Sequence, residues 1–366
     1  MNRNVGTERI LRRYGIAGSV VSEEELCGGN VNLTYKVTVR DGASFQTYLV
    51  QKINQNAMPS AKECVRNMAL VTDHLQRKGI RTAKLYAVAR SGERFVSVKN
   101  ASGEEEEWRV EEYLPSVALN QENPDVLREM ARAFGRCDAA LADLDAAKLH
   151  ETVRGFHDTY ARYRQLYAAA EADVCSRMRG VSCELAQLKA MEQDACEVSL
   201  RYAAGEYSVR VTHNDTKFNN VLFTSANPPY DPVVIDFDTV MAGMYAYDFA
   251  DSVRSVAKVT GGSAEHPTVV IDLARFRAIA EGYVSETAAI MTPAESEAMV
   301  PCVLAVTAEL AARYLTDYLE GDRYFKIAYP EQNRDKARLN LALAQDIVRR
   351  RAELTEIYEE VLKKRR

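Results

Sequence analysis

Apolar and polar residues alternate along LTYKVTVR (33–40) and again along SFQTYLVQKI (44–53), with Asp41-Gly42 between them. A two-residue period on both sides of an Asp-Gly pair predicts a β-hairpin. The period then changes. From Pro59 to Lys78, Cys64, Met68, Val71 and Leu75 recur at helical spacing, and Gly79 marks the stop. Strands are expected again at KLYAVA (84–89), RFVSVKN (94–100) and WRVEEYL (108–114), the last ended by Pro115. The four glutamates 104–107 follow Ser102-Gly103 and read as a solvated hairpin tip.

Beyond residue 115 the texture is helical. Asn123-Pro124 supplies a capping side chain and a proline at the first helical position, and Leu127, Met130, Phe134, Cys137 and Leu141 line one face. Helical pattern continues to about 204, with breaks near 143–156 and 173–182, and resumes from about 245 to the end. Between these blocks lie short strands, VRVTH, VLF and VVIDF, and the turn SANPPYDP (225–232). The fold class expected is α+β: a β lobe with one main helix over residues 1–114, and a larger helical lobe over 115–366 that holds a small β insert.

The bulk numbers fit that reading and narrow it. A chain of 366 residues fits two lobes, and a net charge of −5 argues against a nucleic-acid binder. Seven cysteines without a C-x-x-C pair support neither a disulfide framework nor a zinc site, so free thiols in a reducing compartment are expected. The first residues lack the apolar core of a signal peptide, and no uninterrupted apolar run is long enough for a bilayer. A cytoplasmic protein is expected, a monomer or homodimer without membrane or nucleic-acid partners.

The β insert carries the densest polar cluster. VTHNDTKFNNVLF (211–223) sets His213, Asp215 and Asn220 in the spacing His-x-Asp-x-x-x-x-Asn, and Asp236 ends a strand 16 residues beyond Asn220. A carboxylate and an amide oxygen are hard ligands suited to Mg²⁺ on phosphate, and a second carboxylate can accept a hydroxyl proton. In protein kinases a loop of this spacing provides the base and a metal ligand. His213 is expected to hold the loop by hydrogen bonds. Asp238 is either a turn residue or a further metal ligand, and Lys217 either steadies a phosphate or points to water.

The β lobe offers the nucleotide half. Gly28 and Gly29, with Asn32, precede the first hairpin strand, where glycines let backbone N–H groups approach phosphates. Lys52 is the candidate for the α- and β-phosphates, with Glu63 as its ion partner, although Gln51 and Lys52 face opposite sides of the strand. Glu112, Tyr113 and Leu114 would form the hinge that meets adenine.

GGNVNLTYKV, THNDTKFNNVLF and VVIDFDTVMAGMYAYDFADSVR together resemble the aminoglycoside phosphotransferase and choline kinase-like superfamily. Within it the likeness is strongest to the N-acetylhexosamine 1-kinases, and extends through LHETVRGFHDTY (149–160) and RYLTDYLEGDRYFKIAYPEQN (313–333). The resemblance implies a protein-kinase-like fold with ATP and Mg²⁺ between the lobes. It implies Asp215 as the base, Asn220 and Asp236 as metal ligands, and Asp248 as a buried carboxylate bracing the loop. It also implies Arg313 and Tyr324 as residues holding the sugar. Asn30 and Leu33 stand where those sugar kinases carry a His and an Asp near the acceptor. The expected activity is transfer of the ATP γ-phosphate to the anomeric hydroxyl of an N-acetylhexosamine or related sugar. The alternatives are a kinase of this superfamily for an aminoglycoside, homoserine or a choline-like amine, or a silent nucleotide-binding protein.

Overall fold

The computed structural model describes residues 4–26, 32–55, 58, 60–100 and 102–365. The chain opens with a helix, α1 (Asn4–Arg13), and a strand, β1 (Ser19–Leu26). The expected hairpin follows as β2 (Leu33–Asp41) and β3 (Ser44–Lys52), then α2 (Ala61–Arg77), β4 (Val96–Lys99) and β5 (Glu105–Glu112). The strands form one five-stranded antiparallel sheet in the order β1-β2-β3-β5-β4.

The sheet has two different faces. On one, Val37, Val39, Tyr48, Val50, Trp108 and Val110 pack with Ile10, Leu11 and Tyr14 of α1 into a closed apolar cluster. By alternation the other face carries Gln51, Arg109 and Glu111. It is turned toward α2, where Lys62 pairs with Glu107.

Three expectations need correction. KLYAVA is not a strand: only Leu85 bridges to Glu111. One edge of β5 is divided between β4, which pairs with residues 105–108, and the 84–86 segment, which takes the remainder. The fifth strand is instead β1, whose sequence SVVSEEEL lies half exposed with a bulge near Val20 and Ser22, and so lacks a clean two-residue period. The glutamate run is not a loop tip either. Glu105, Glu106 and Glu107 lie within β5, Glu106 accepting from Lys52 and Glu107 buried against Ser97.

The helical lobe begins with α3 (Pro124–Leu141), capped by the Asn123 side chain as its sequence predicts, followed by α4 (Thr159–Ala172) and α5 (Ser182–Ala203). The insert consists of β6 (Arg210–Thr212), β7 (Val221–Phe223), β8 (Pro232–Val234) and β9 (Met241–Gly243), paired as β6·β9 and β7·β8. Then come α6 (Tyr245–Val256), an unexpected hairpin β10 (Lys258–Gly262) and β11 (Pro267–Ile271), α7 (Leu273–Thr287), α8 (Pro293–Leu319), α9 (Gln332–Arg349) and α10 (Arg351–Lys363). Gly135 lets α3 lie close against α7, because a Cβ there would stand 2.8 Å from the Tyr283 carbonyl oxygen.

Among the described residues α8 alone is long and apolar enough to cross a bilayer, and 78% of its apolar window is buried in the protein. It starts with a capping box, Thr292 and Glu295, and forms the centre of the lobe between α4, α5, α6 and α9. The architecture is a two-lobed, kinase-like fold, with the β insert beneath the sheet.

Candidate active site

The loop between β6 and β7 is built on one buried carboxylate. Asp248, in the first turn of α6, accepts from the backbone N–H groups of His213 at 2.7 Å and Asn214 at 2.6 Å. The Thr216 hydroxyl donates to the Asp248 carbonyl. Asn214 takes a positive φ of 65°, and its amide ties the loop to the carbonyls of Thr212 and Thr239. Behind Asp248 lies Asp138 of α3. Burial, then the charge of Asp248, raises the Asp138 carboxyl well above its ordinary range. Burial and the neighbouring charge thus favour the neutral form of Asp138, which can donate to Asp248 where two charged carboxylates would repel.

His213 is a connector. Its Nε2 stands 3.0 Å from the Ile235 carbonyl and its Nδ1 3.4 Å from the Asp215 N–H. A neutral ring with its proton on Nε2 satisfies both. The ring is packed edge-on to Phe134 and tilted against Phe237.

This frame presents Asp215. Its carboxylate accepts from Lys217 Nζ at 2.6 Å and from the Asn220 amide at 2.9 Å. Burial opposes ionisation, but the Lys217 ammonium, with the Asn220 amide, outweighs it and holds the carboxyl below its ordinary value. Asp215 is ionised at neutral pH, and Lys217 faces it rather than water.

The Asn220 carbonyl accepts from the Ile235 N–H at 2.9 Å, which places the asparagine beside the end of β8 and next to Asp236. Asp236 is in the left-handed region at φ 64°. Burial, then the charges of Asp238 and Asp215, push its carboxyl up to about 7. Asp236 thus feels the charges of two further carboxylates, Asp238 on its own turn and Asp215 on the neighbouring loop. That excess of negative charge fits a divalent cation. Between 3.8 and about 7 the folded chain keeps a proton on Asp236 that the unfolded chain has released. Stability from this group therefore falls as pH rises through that window and stays lowered above it. Asp236→Asn is expected to raise the metal-free melting temperature at pH 8 by roughly 2–4 °C, and to change it much less at pH 5. Equal shifts at both pH values would refute the assigned burial cost.

Asp238 is not left as a free turn residue. It receives the Arg109 guanidinium on one oxygen and the Asn32 amide, at 2.6 Å, on the other. Arg109 is 1% exposed, donates from Nε to Gln51 at 2.8 Å and forms an ion pair with Glu111 at 2.8 Å. Asn32 in turn accepts from the Asn54 N–H at 3.1 Å. A buried polar network thus clamps β2, β3 and β5 to the turn that aims Asp236, while Cys64 of α2 donates to the Asp238 carbonyl.

The β-lobe expectations fare unevenly. Lys52 lies on the outer face, directly opposite Trp108, and pairs with Glu106 at 2.6 Å. The pairing with Glu63 does not form, and Gln51 is the residue turned inward. Leu33, the register partner of Lys52, shares that outer face and does not reach the cleft. Asn32 bonds Asp238 and Asn54. Gly28, Gly29 and Asn30 lie outside the described residues. At the hinge, the Glu112 N–H is already bonded to the Lys84 carbonyl at 2.8 Å, and Leu114 is buried with Val233. Lys36 of β2 stands 4.7 Å from the Tyr113 ring centre.

On the far side of the loop, His157 connects the Asn214 carbonyl, at 3.2 Å, to Glu309 of α8, at 3.3 Å. Both neighbours are acceptors. Although burial opposes it, Glu309 raises the imidazole above its ordinary value. Arg313, one turn along α8, lies 3.8 Å from Glu309 and 3.5 Å from the Tyr324 hydroxyl. Tyr324 is placed by Asp317, whose carboxylate gathers the N–H groups of Arg323, Tyr324 and Phe325 at 2.8, 2.7 and 2.9 Å. The string LTDYLEGDRYF thus encodes a carboxylate and the loop folded over it. Arg109, Asp138, His157 and Glu309 are the site residues that pattern alone does not single out.

Residues 24–281 match the phosphotransferase enzyme family, and the chain belongs to it. Solved structures share the fold at low identity. A microcompartment-associated aminopropanol kinase is 17% identical at a TM-score of 0.66, over 96% of this chain and 98% of that one. An amicoumacin kinase, solved with AMP-PNP and Ca²⁺, is 13% identical at 0.60, over 100% and 94%. An ethanolamine kinase of Plasmodium vivax is 16% identical at 0.53, over 92% and 86%.

Proposed function

We propose that this phosphotransferase moves the γ-phosphate of ATP to the anomeric hydroxyl of an N-acetylhexosamine or a related sugar. The observation that carries the reading is Asp215, a carboxylate kept ionised by Lys217 and Asn220 and set beside Asp236. Asp215 orients the acceptor hydroxyl and takes its proton as the bond to phosphorus forms. Asp236 and Asn220 hold Mg²⁺, which when bound supplies neutralising charge to the donor phosphates. Asp138, Asp248 and His213 position the loop and touch no reactant.

The sugar half rests on Arg313 and Tyr324, which offer a fork of donors beside an aromatic ring and its hydroxyl. An amine acceptor is the second reading, favoured by what the structural neighbours are named for. The arginine at this position repels an ammonium group. Incubating the protein with ATP, Mg²⁺ and a panel of N-acetylhexosamines, ethanolamine, choline and aminoglycosides, with ³¹P NMR to locate the phosphate, separates the readings. An anomeric phosphate supports the first; an O-phosphorylated amine rejects it.

Because Lys52 faces Glu106, Lys52→Ala is expected to leave the KM for ATP within about twofold, as for an exposed ion pair. A tenfold rise would return Lys52 to the nucleotide site.

A further inference from the structure

The peptide bond between Asn214 and Asp215 lies between two histidines. On one side its N–H faces His213 Nδ1 at 3.4 Å. On the other its carbonyl oxygen stands 3.2 Å from Nε2 of His157, in the segment that leads into α4. One atom back along the loop, the Asn214 N–H is held by Asp248. The backbone that carries Asp215 is thus tied at three points.

The two rings meet different partners. His213 finds a carbonyl at Nε2 and an N–H at Nδ1, so a neutral ring serves both. His157 finds a carbonyl at Nε2 and a Glu309 oxygen at Nδ1, 3.3 Å away. A neutral imidazole has one N–H for these two acceptors, whereas the imidazolium has two. The ring is buried, with the ring centres of Phe156 and Tyr247 each 4.7 Å away.

The charged groups around it come from three elements. From α8, buried Glu309 also accepts from the Thr159 hydroxyl at 3.5 Å, and Arg313 stands 3.8 Å from its other oxygen. From α6, Asp251 is buried and paired with Arg254 at 2.6 Å. At the start of α4, Asp158 caps the helix through the Ala161 N–H at 3.0 Å, and Arg162 feels the Glu309 charge. Beyond the peptide, Asp215 has Lys217 as its counter-ion at 2.6 Å. Burial opposes a charge on the His157 ring, but Glu309, with Asp251 behind it, outweighs burial and raises the imidazole above its ordinary value.

We propose that His157 is a positioning residue that works doubly protonated: anchored on Glu309, its imidazolium holds the Asn214 carbonyl and so fixes the peptide that aims Asp215 at the acceptor hydroxyl. This rests on the reading of Asp215 as the base. His157 acts through the loop and takes no part in the proton transfer. Loss of its proton leaves one N–H for two acceptors. Turnover is therefore full below the pKa of the folded ring and falls as pH rises through it.

Two measurements test this. In ¹⁵N-labelled protein, His157 is assigned among the five histidines by the signals lost in His157→Gln. It is expected to carry protons on both nitrogens at about pH 7, where an ordinary histidine is mostly neutral. A ring protonated on Nε2 alone overturns the proposal. The second measurement is the pH profile of kcat with ATP, Mg²⁺ and an N-acetylhexosamine. The parent should show an alkaline fall. Glu309→Gln should move that fall to lower pH by about one unit or more, because the opposite charge is gone. His157→Gln keeps a donor for the carbonyl at every pH and should remove the fall. His157→Phe keeps neither donor nor charge, and should lower kcat by about ten- to hundredfold with the KM for ATP little changed, the scale of a charge-assisted hydrogen bond. Melting temperatures check that each variant is folded. An alkaline fall that stays in place in both Glu309→Gln and His157→Gln overturns the assignment. If Asp215→Asn turns over at the parental rate, or no N-acetylhexosamine is phosphorylated, the functional reading fails by itself, and the protonation of His157 is decided by the nitrogen signals.

Discussion

Asp215→Asn is expected to lower kcat by about a thousandfold, within the range of removing a positioned acid or base, while ATP still binds. The side chain keeps its size, so the loop held by Asp248, His213 and Asn214 stays in place. What is lost is the charge that Lys217 and Asn220 hold in its ionised form. The variant cannot accept the acceptor's proton, and Lys217 loses its counter-ion. Calorimetry of nucleotide binding beside a turnover assay gives the split: near-parental affinity with turnover almost gone. A variant with more than a tenth of the parental kcat would show that the proton leaves by another route. Joint loss of binding and turnover would make Asp215 a structural residue of the cleft.

The divide between what was legible and what was not follows from where each signal resides. The β2–β3 hairpin, α2 and α3 are readable because periodicity and end signals sit in the same few residues. The cluster at 213–220 is readable because its spacing is local, and the structure joins its Asp215–Asn220 pair to the segment that carries Asp236 through the Ile235 N–H. Strand β1 is hidden because a half-exposed, bulged edge strand carries no alternation. The same applies to Lys52: alternation states that Lys52 and Gln51 face opposite ways, but only α1 covering the Tyr48 and Val50 face fixes which one is inside. Asp138, His157 and Glu309 act through partners more than a hundred residues away in sequence or on other helices, so no local pattern marks them.

Arg109→Met is expected to be the most destabilising single change in the β lobe. Arg109 is surrounded by Asp238, Glu111 and Gln51 with 1% of its surface exposed. Methionine fills part of the space but leaves two buried carboxylates without a cation. Removing one partner of such a group typically costs about 3–5 kcal/mol, far more than the intact pair contributes over an apolar replacement. Burial already raises the Glu111 carboxyl despite Arg109, so without Arg109 it takes up a proton more readily still. The loss is therefore expected to be larger at pH 8 than at pH 5, where protonation relieves the stranded charge. Denaturant titration at the two pH values measures this. Pairing the change with Glu111→Gln should recover part of the stability, because one stranded carboxylate is then removed. The same network aims Asp236 through Asp238, so activity should fall in Arg109→Met even at temperatures where the protein remains folded. A variant as stable as the parent at pH 8 would mean that water reaches these carboxylates, and that the clamp between sheet and metal turn is not what holds the lobes in register.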